Sequence, residues 1–404
     1  MSSWVTAEAD KRRFLLITFV DAVGTGAFSA AGVVLFSRLL HLGSSSIASG
    51  LAVASLAAAA LLVPVSRLVE GRSLGWTMVN LNVGLAVLVP VLLLRGGVVP
   101  FAAVMGAIVL LERALSAVRG AALGRMSTDR LAARARARIA ANVGLPLGGA
   151  AAAAAIAVGS HTALVLLLLI DAVSFLACAA LSTPFKDDRQ PRAGSTHSLV
   201  SVTDGRYVFA CALNTCGCLH NSLLFVALPL WIVRDLPHSV YLVPLVALIN
   251  TALVVALQQR LAHGANSLPA SLRMQAIAGV IILAACGLMT VSASTSEAWR
   301  IGLCLGATLF LSVAEMRQSA AGWEISYAFA PPERLTEYQA LFVVSSTMEQ
   351  VVGPLLAGFV ILQLPDGLGW LAVGAAIVIV LASGGAVLGR RQPDDMPTDP
   401  RRSR

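Results

Sequence analysis

Residues 109–120, VLLERALSAVRG, set Glu112, Arg113 and Arg119 inside a run that otherwise has the character of buried apolar helix. The solvent decides what such a run is. Soluble globular chains carry about 25% charged residues. This chain of 404 residues carries 12%, is 57% hydrophobic, and has a mean hydropathy of +0.81. A soluble fold of that length could not hide so much apolar surface. A bilayer core about 30 Å thick needs about 20 apolar residues per crossing. The chain therefore reads as an all-α, polytopic membrane protein. Its first apolar run, from Phe14, continues well past signal-peptide length.

Working outward from this run, twelve spans are expected, at about 14–38, 46–65, 74–95, 99–121, 138–158, 161–183, 207–232, 240–258, 273–293, 298–322, 339–362 and 367–389. Both termini then share one side. That side holds Lys11–Arg13, Arg67, Arg72, Arg125, Arg130, Arg134, Arg136, Arg138, Lys186, Arg189, Arg192, Arg206, Arg260, Arg273, Arg334 and the C-terminal arginines; the other holds Arg38, Arg95, Arg234 and Arg300. The asymmetry places both termini in the cytoplasm of a cell-membrane protein. It also accounts for the net charge of +8 without a nucleic-acid partner. Trp76, Trp231, Trp299, Trp323 and Trp370 fall near span ends, where an interfacial belt would sit. The six cysteines lie in apolar runs without metal-ligand spacing and read as small apolar filler.

The longest polar interruption, KDDRQPRAGSTHS (186–198), divides the chain. A six-helix half at 1–185, a linker at 186–206, a second half at 207–390 and a disordered tail at 391–404 are expected. Internal echoes support a duplication. TDRLAARARARIAANVGLPLGG (128–149) is echoed by PERLTEYQALFVVSSTMEQVVGPLLAG (332–358), and Glu112 in span 4 by Glu315 in span 10. Matching marks in corresponding spans are what a duplicated transporter leaves.

These residues resemble the major facilitator superfamily over nearly the whole chain. VGLPLGG (143–149), with Gly144, Pro146, Gly148 and Gly149, is similar to the glycine-proline motif of its antiporters. Arg113 stands where the family carries a buried arginine, and PVSRLVEGR (64–72) resembles its loop between spans 2 and 3, with Ser66 for the usual glycine and Glu70 for the usual aspartate. IDAVSF (170–175) and AEMRQSAAGWEISYAFAPPERL (314–335) look like bacterial drug exporters. The resemblance implies two pseudo-symmetric six-helix bundles, a cavity lined by spans 1, 4, 7 and 10, a glycine helix packed on the opposite half, and a cytoplasmic latch at Arg67, Glu70 and Arg72. A plain close-packing helix and a plain basic loop are the alternatives for the last two features.

A charge at mid-bilayer costs about 2.5–3.5 kcal/mol on insertion scales, so it faces a partner or water. Asp21, Glu112, Arg113, Asp171, Glu315, Arg317 and Glu349 are such charges. Glu112 and Arg113 point about 100° apart on a helix. An Asp21–Arg113 pair with Glu112 titrating beside it is expected to couple protons to transport, with Glu315 in a matching role; static helix braces are the alternative. Asp171 is expected to bond a local hydroxyl such as Ser174. In span 7, Asn214 and Asn221 share a face, and with His220 they are candidates for the substrate cavity, joined by Phe28, Phe36 and Phe225. Packing is the alternative for each.

The function expected is secondary active export of a small lipophilic compound, drug or metabolite, in exchange for protons. Nutrient uptake by proton symport is the alternative within transport, and a non-transporting receptor or scaffold the alternative outside it. HExxH, GxSxG, paired-cysteine and phosphate-loop motifs are all missing, so no enzyme, cofactor or metal is expected. The partners expected are a small-molecule substrate, protons and lipid, for a monomeric chain.

Overall fold

The computed structural model describes residues 2–39, 44–69, 72–94, 97–126, 130–183 and 200–389. Twelve helices among them are long and apolar enough to cross a membrane. Spans 1 to 6 are Ser2–Leu39, Ser44–Leu68, Leu74–Val91, Val98–Met126, Arg130–Val158 and His161–Ser182. Spans 7 to 12 are Gly205–Asp235, Leu242–Ala262, Leu268–Ser292, Glu297–Ala328, Pro332–Ile361 and Leu368–Leu388. Helix is the element a lone segment can form in lipid, because it satisfies every backbone donor and acceptor internally. Side chains cap the ends that turn: Ser73 and Ser160 accept from Trp76 N and Ala163 N, and Asp204 accepts from Arg206 N and Tyr207 N. The expected linker 186–206 and tail 391–404 lie mostly outside the described residues. Where the linker is described, Val200–Thr203 is a helical turn, and its Ser201 N–H donates to Glu337 at 2.8 Å.

The halves repeat each other in space. Span 1 packs on spans 5 and 6, span 2 on span 4, and span 3 on spans 4 and 6. Adding six to each number gives the contacts of the second half: 7 with 11 and 12, 8 with 10, and 9 with 10 and 12. The interface obeys the same rule, since spans 2 and 4 meet 11 while spans 8 and 10 meet 5. Among the described residues this is a twelve-span architecture of two six-helix bundles with matching internal contacts.

The glycine-proline marks explain the packing within each half. A Cβ on Gly144 would run into Phe19 O, and one on Gly148 into Val23 O and Ala27 N, all on span 1. Gly26 of span 1 likewise has no room for a Cβ against the Leu145 backbone. Backbones approach this closely only where side chains are absent. In the second half, Gly353 of span 11 sits against Ser222 of span 7. The glycine face of span 5 is turned to span 1 of its own half, while the helix also packs on spans 8 and 10 of the second half. A Cβ on Gly149 would lie 4.0 Å from the Ala30 methyl, and Pro146 is exposed within an unbroken helix.

Two π-helical turns interrupt the second half, Leu223–Ala227 in span 7 and Ala357–Ile361 in span 11, and they touch. Pro229 follows the first of these turns by two residues, and Pro354 precedes the second by three. The tryptophan belt is only partly present. Trp76 and Trp299 are exposed, whereas Trp231 and Trp370 are core residues of the second half. Of the cysteines, Cys178, Cys211, Cys286 and Cys304 are buried filler, and all six thiols are free.

Candidate functional site

The interface between the halves is where ionisable side chains gather. A cavity of about 350 Å³ lies there, toward the end that carries the termini. Span 1 contributes Thr18 and Asp21, span 4 Glu112, Ser116 and Arg119, and span 5 Arg134 and Arg138. Across from them stand Gln258 of span 8 and Ser319 and Trp323 of span 10. The expected shared face of Glu112, Ser116 and Arg119 is thus present, four and seven residues being one and two helical turns.

The partner of Asp21 is not the expected one. Arg119 Nη1 and Nη2 donate to Asp21 Oδ2 and Oδ1 at 2.5 and 2.9 Å. The reason is angular. Arg119 lies on the Glu112 face, which is turned to span 1, while Arg113 points about 100° away from Glu112. Arg113 instead reaches span 11, where its Nη2 donates to Gln350 Oε1 at 3.2 Å.

Arg138 donates to Glu315 across the interface and, at 2.6 Å, to Ser319. The other Glu315 oxygen accepts from Asn250 at 2.6 Å. Glu315 is therefore held by a residue of the opposite half, not by Arg317 as a brace within span 10 would require. The Arg134 guanidinium lies 3.5 Å from the centre of the Trp323 ring and donates to the Tyr327 hydroxyl at 2.5 Å. Tyr327 in turn donates to Gly120 O at 2.6 Å. Nearer the termini, the buried Glu337 carboxylate lies 3.9 Å from Arg67 and 3.5 Å from Arg334. Arg67 makes this contact with Glu337 of span 11, in the other half. Glu70 lies outside the described residues, and Arg72 is exposed.

These contacts close the halves together at the termini end. At the opposite end, Arg234 pairs with Asp235 and bonds Leu362 O, and Arg300 bonds Ser292 O and Asp235 O, all within the second half. Tyr327→Phe removes one hydrogen bond accepted and one donated across the closed interface. It is expected to weaken closure by about 1 kcal/mol, readable as faster labelling of a cysteine introduced at Ala135.

The span 7 candidates are placed otherwise. Asn214 is buried and donates to Ser345 and Ser346 at 2.9 and 3.1 Å while accepting from Gln318 at 3.0 Å. His220 is buried with Nδ1 at 2.6 Å from Gly217 O. Asn221 is half-buried and Phe225 is exposed. Phe28 is in the core, its ring 5.9 Å from that of Phe36. Neither Asn214, His220, Asn221 nor Phe28 lines the cavity described above. Glu349 accepts from Ser222 within its own half. Asp171 is buried against Gly24, and Ser174 donates to its backbone carbonyl, not to its carboxylate as expected.

Sequence reasoning missed Arg134, Arg138, Trp323, Tyr327 and Glu337. The first two lie within span 5, which starts at Arg130 and not at 138, so they are helix residues and not loop charges. A usable signal was present: Arg134 and Arg138 are one turn apart, as are Trp323 and Tyr327, so each pair makes a single face.

No family model matches the sequence, and no curated protein matches it. Solved structures do match its fold. A bacterial homologue of the iron transporter ferroportin, in an outward-facing state, aligns with a TM-score of 0.72 at 14% identity, covering 93% of this chain and 99% of that one. The same homologue soaked with iron aligns with a TM-score of 0.71 at 16% identity, covering 94% and 99%. The human organic anion transporter MFSD10 aligns with a TM-score of 0.64 at 12% identity, covering 94% and 99%.

Proposed function

We propose that this chain is a secondary active transporter that exports a small lipophilic compound in exchange for protons by alternating access. The observation that carries the reading is Glu112 beside the Asp21–Arg119 pair, in a cavity whose far wall belongs to the other half. Asp21, Glu112 and Arg119 sit on spans of one bundle and move together. Gln258, Ser319 and Trp323 sit on the other and move away when the bundles rock. Glu112 then passes from a closed interface to open water, and that change in hydration shifts its hold on a proton. The arginine-rich ends put the termini in the cytoplasm, which makes the closed end cytoplasmic and this conformation outward-facing. The outward-facing ferroportin homologue is consistent with that reading.

The test is substrate-triggered proton flux in liposomes loaded with a pH dye, using compounds found by a susceptibility panel in an efflux-deficient host. Glu112→Gln is expected to reduce flux to the level of protein-free liposomes while substrate binding persists. Wild-type flux in both Glu112→Gln and Asp21→Asn would remove proton coupling through this site.

Metal transport is a second reading, favoured by the ferroportin homologues alone. Against it, Asp21 is occupied by Arg119, and among the described residues no three His, Cys, Asp or Glu side chains come together as a ligand set.

A further inference from the structure

We infer that Arg113 recognises an acidic group on the transported compound, so that the substrate class is a lipophilic organic anion such as an aromatic carboxylate. This rests on the transport reading above and narrows it. Among the described residues, the arginines at or beside the interface between the halves are of two kinds, those with a charged or aromatic partner and one without. Arg119 is met by both oxygens of Asp21, Arg138 by Glu315, and Arg67 and Arg334 by Glu337. Arg134 has the face of Trp323 and the hydroxyl of Tyr327.

Arg113 differs from all of these. Its contact across the interface is the neutral side-chain oxygen of Gln350, at 3.2 Å, and among the described residues no carboxylate lies within ion-pair distance of it. Two acids stand next to this pair in sequence, and both are turned elsewhere. Glu112 lines the cavity at the closed end with Asp21 and Arg119, and Glu349 accepts from Ser222 inside the second half. A guanidinium offers five N–H donors, and one neutral acceptor leaves most of them to water or a ligand. The side chain is half-buried and so is not sealed inside the packed helices.

Its position suits a substrate site. Arg113 is near the middle of span 4 (Val98–Met126) and faces the middle of span 11, so the Arg113–Gln350 contact bridges the halves at mid-membrane depth. A ligand held there touches both bundles and senses their movement. A carboxylate supplies what the site lacks, because it takes two parallel N–H bonds from one guanidinium and neutralises a charge that is costly at that depth.

The test uses the detergent-purified full chain and three probes of one shape: 2-naphthoate, 2-naphthylmethylammonium and 2-naphthalenemethanol. Binding is read by tryptophan fluorescence and by thermal shift. Wild type is expected to bind naphthoate at least about tenfold more tightly than the other two. Arg113→Gln is expected to abolish that preference, and Arg113→Lys to keep part of it. Gln350→Glu leaves Arg113 in place but gives it an internal carboxylate, and is expected to abolish the preference too. It therefore tests the idea even where Arg113→Gln fails to fold. A wild-type preference for the ammonium or the alcohol, no binding of naphthoate, or naphthoate affinity unchanged in a folded Arg113→Gln or in Gln350→Glu each overturns the proposal. Proton flux triggered by the alcohol or the ammonium, and not by naphthoate, would leave export standing and sink the anion class alone.

Discussion

Glu315→Ala is expected to release the halves at the end that carries the termini and to shift the conformational equilibrium toward the opposite-facing state by about 30-fold. Breaking a buried ion pair by removing one partner costs about 3–5 kcal/mol. Here Arg138 keeps 27% of its side chain exposed while Glu315 keeps 4%, so water meets part of the cost on one side only. About 2 kcal/mol is the discounted figure, and 1.4 kcal/mol is about tenfold. The effect is conformational because Arg138 belongs to span 5 and Glu315 to span 10, on opposite bundles. The pair exists only while this end is closed. Spin labels on the far ends of spans 1 and 7 would report the shift as a shortening of their separation. The exchange Arg138→Glu with Glu315→Arg is expected to restore much of the closed population. Unchanged distances in Glu315→Ala would mean that the pair does not hold this end shut.

The second large effect is on folding. Gly148→Ala is expected to cost about 3 kcal/mol, because the new methyl runs into Val23 O and Ala27 N of span 1. Backbone atoms of a packed helix cannot swing aside as a flexible side chain does. Spans 1 and 5 must separate, and the whole first bundle depends on that contact. Gly149→Ala is the control. Its nearest neighbour is the Ala30 methyl at 4.0 Å, so helix propensity dominates and the change is expected to stabilise by about 0.5–1 kcal/mol. Melting temperature and size-exclusion profile in detergent measure both. Equal melting temperatures for the two variants would contradict this account of the glycine motif.

Particular residues show what was readable in the chain. The Gly144–Gly149 marks and their echo at Gly353–Pro354 pointed correctly to close helix contacts in equivalent places, with span 1 for one and span 7 for the other. The face shared by Glu112, Ser116 and Arg119 followed from helical spacing alone. The partner of Asp21 did not follow. Both Arg113 and Arg119 were on the right helix, and the choice between them turned on how span 4 is rotated toward span 1. Phe28 could equally have lined a cavity or filled the core, and its ring packs against Phe36. Arg134 and Arg138 looked like loop charges until span 5 proved to begin two turns earlier, which aims them at Trp323, Tyr327 and Glu315.

The chain by itself determined that it reads as a membrane protein with twelve runs long enough to cross, and that sequence marks recur between its halves. Those properties depend on run length against bilayer thickness and on repeated marks along one dimension. Only the tertiary structure decided which charges meet and which end of the interface is shut. The physical reason lies in the solvent. Lipid is as apolar as the protein interior, so a spanning helix need not sort its apolar residues onto one side. With little amphipathic pattern to mark the inward face, the orientation of each charge is set by how the helices pack.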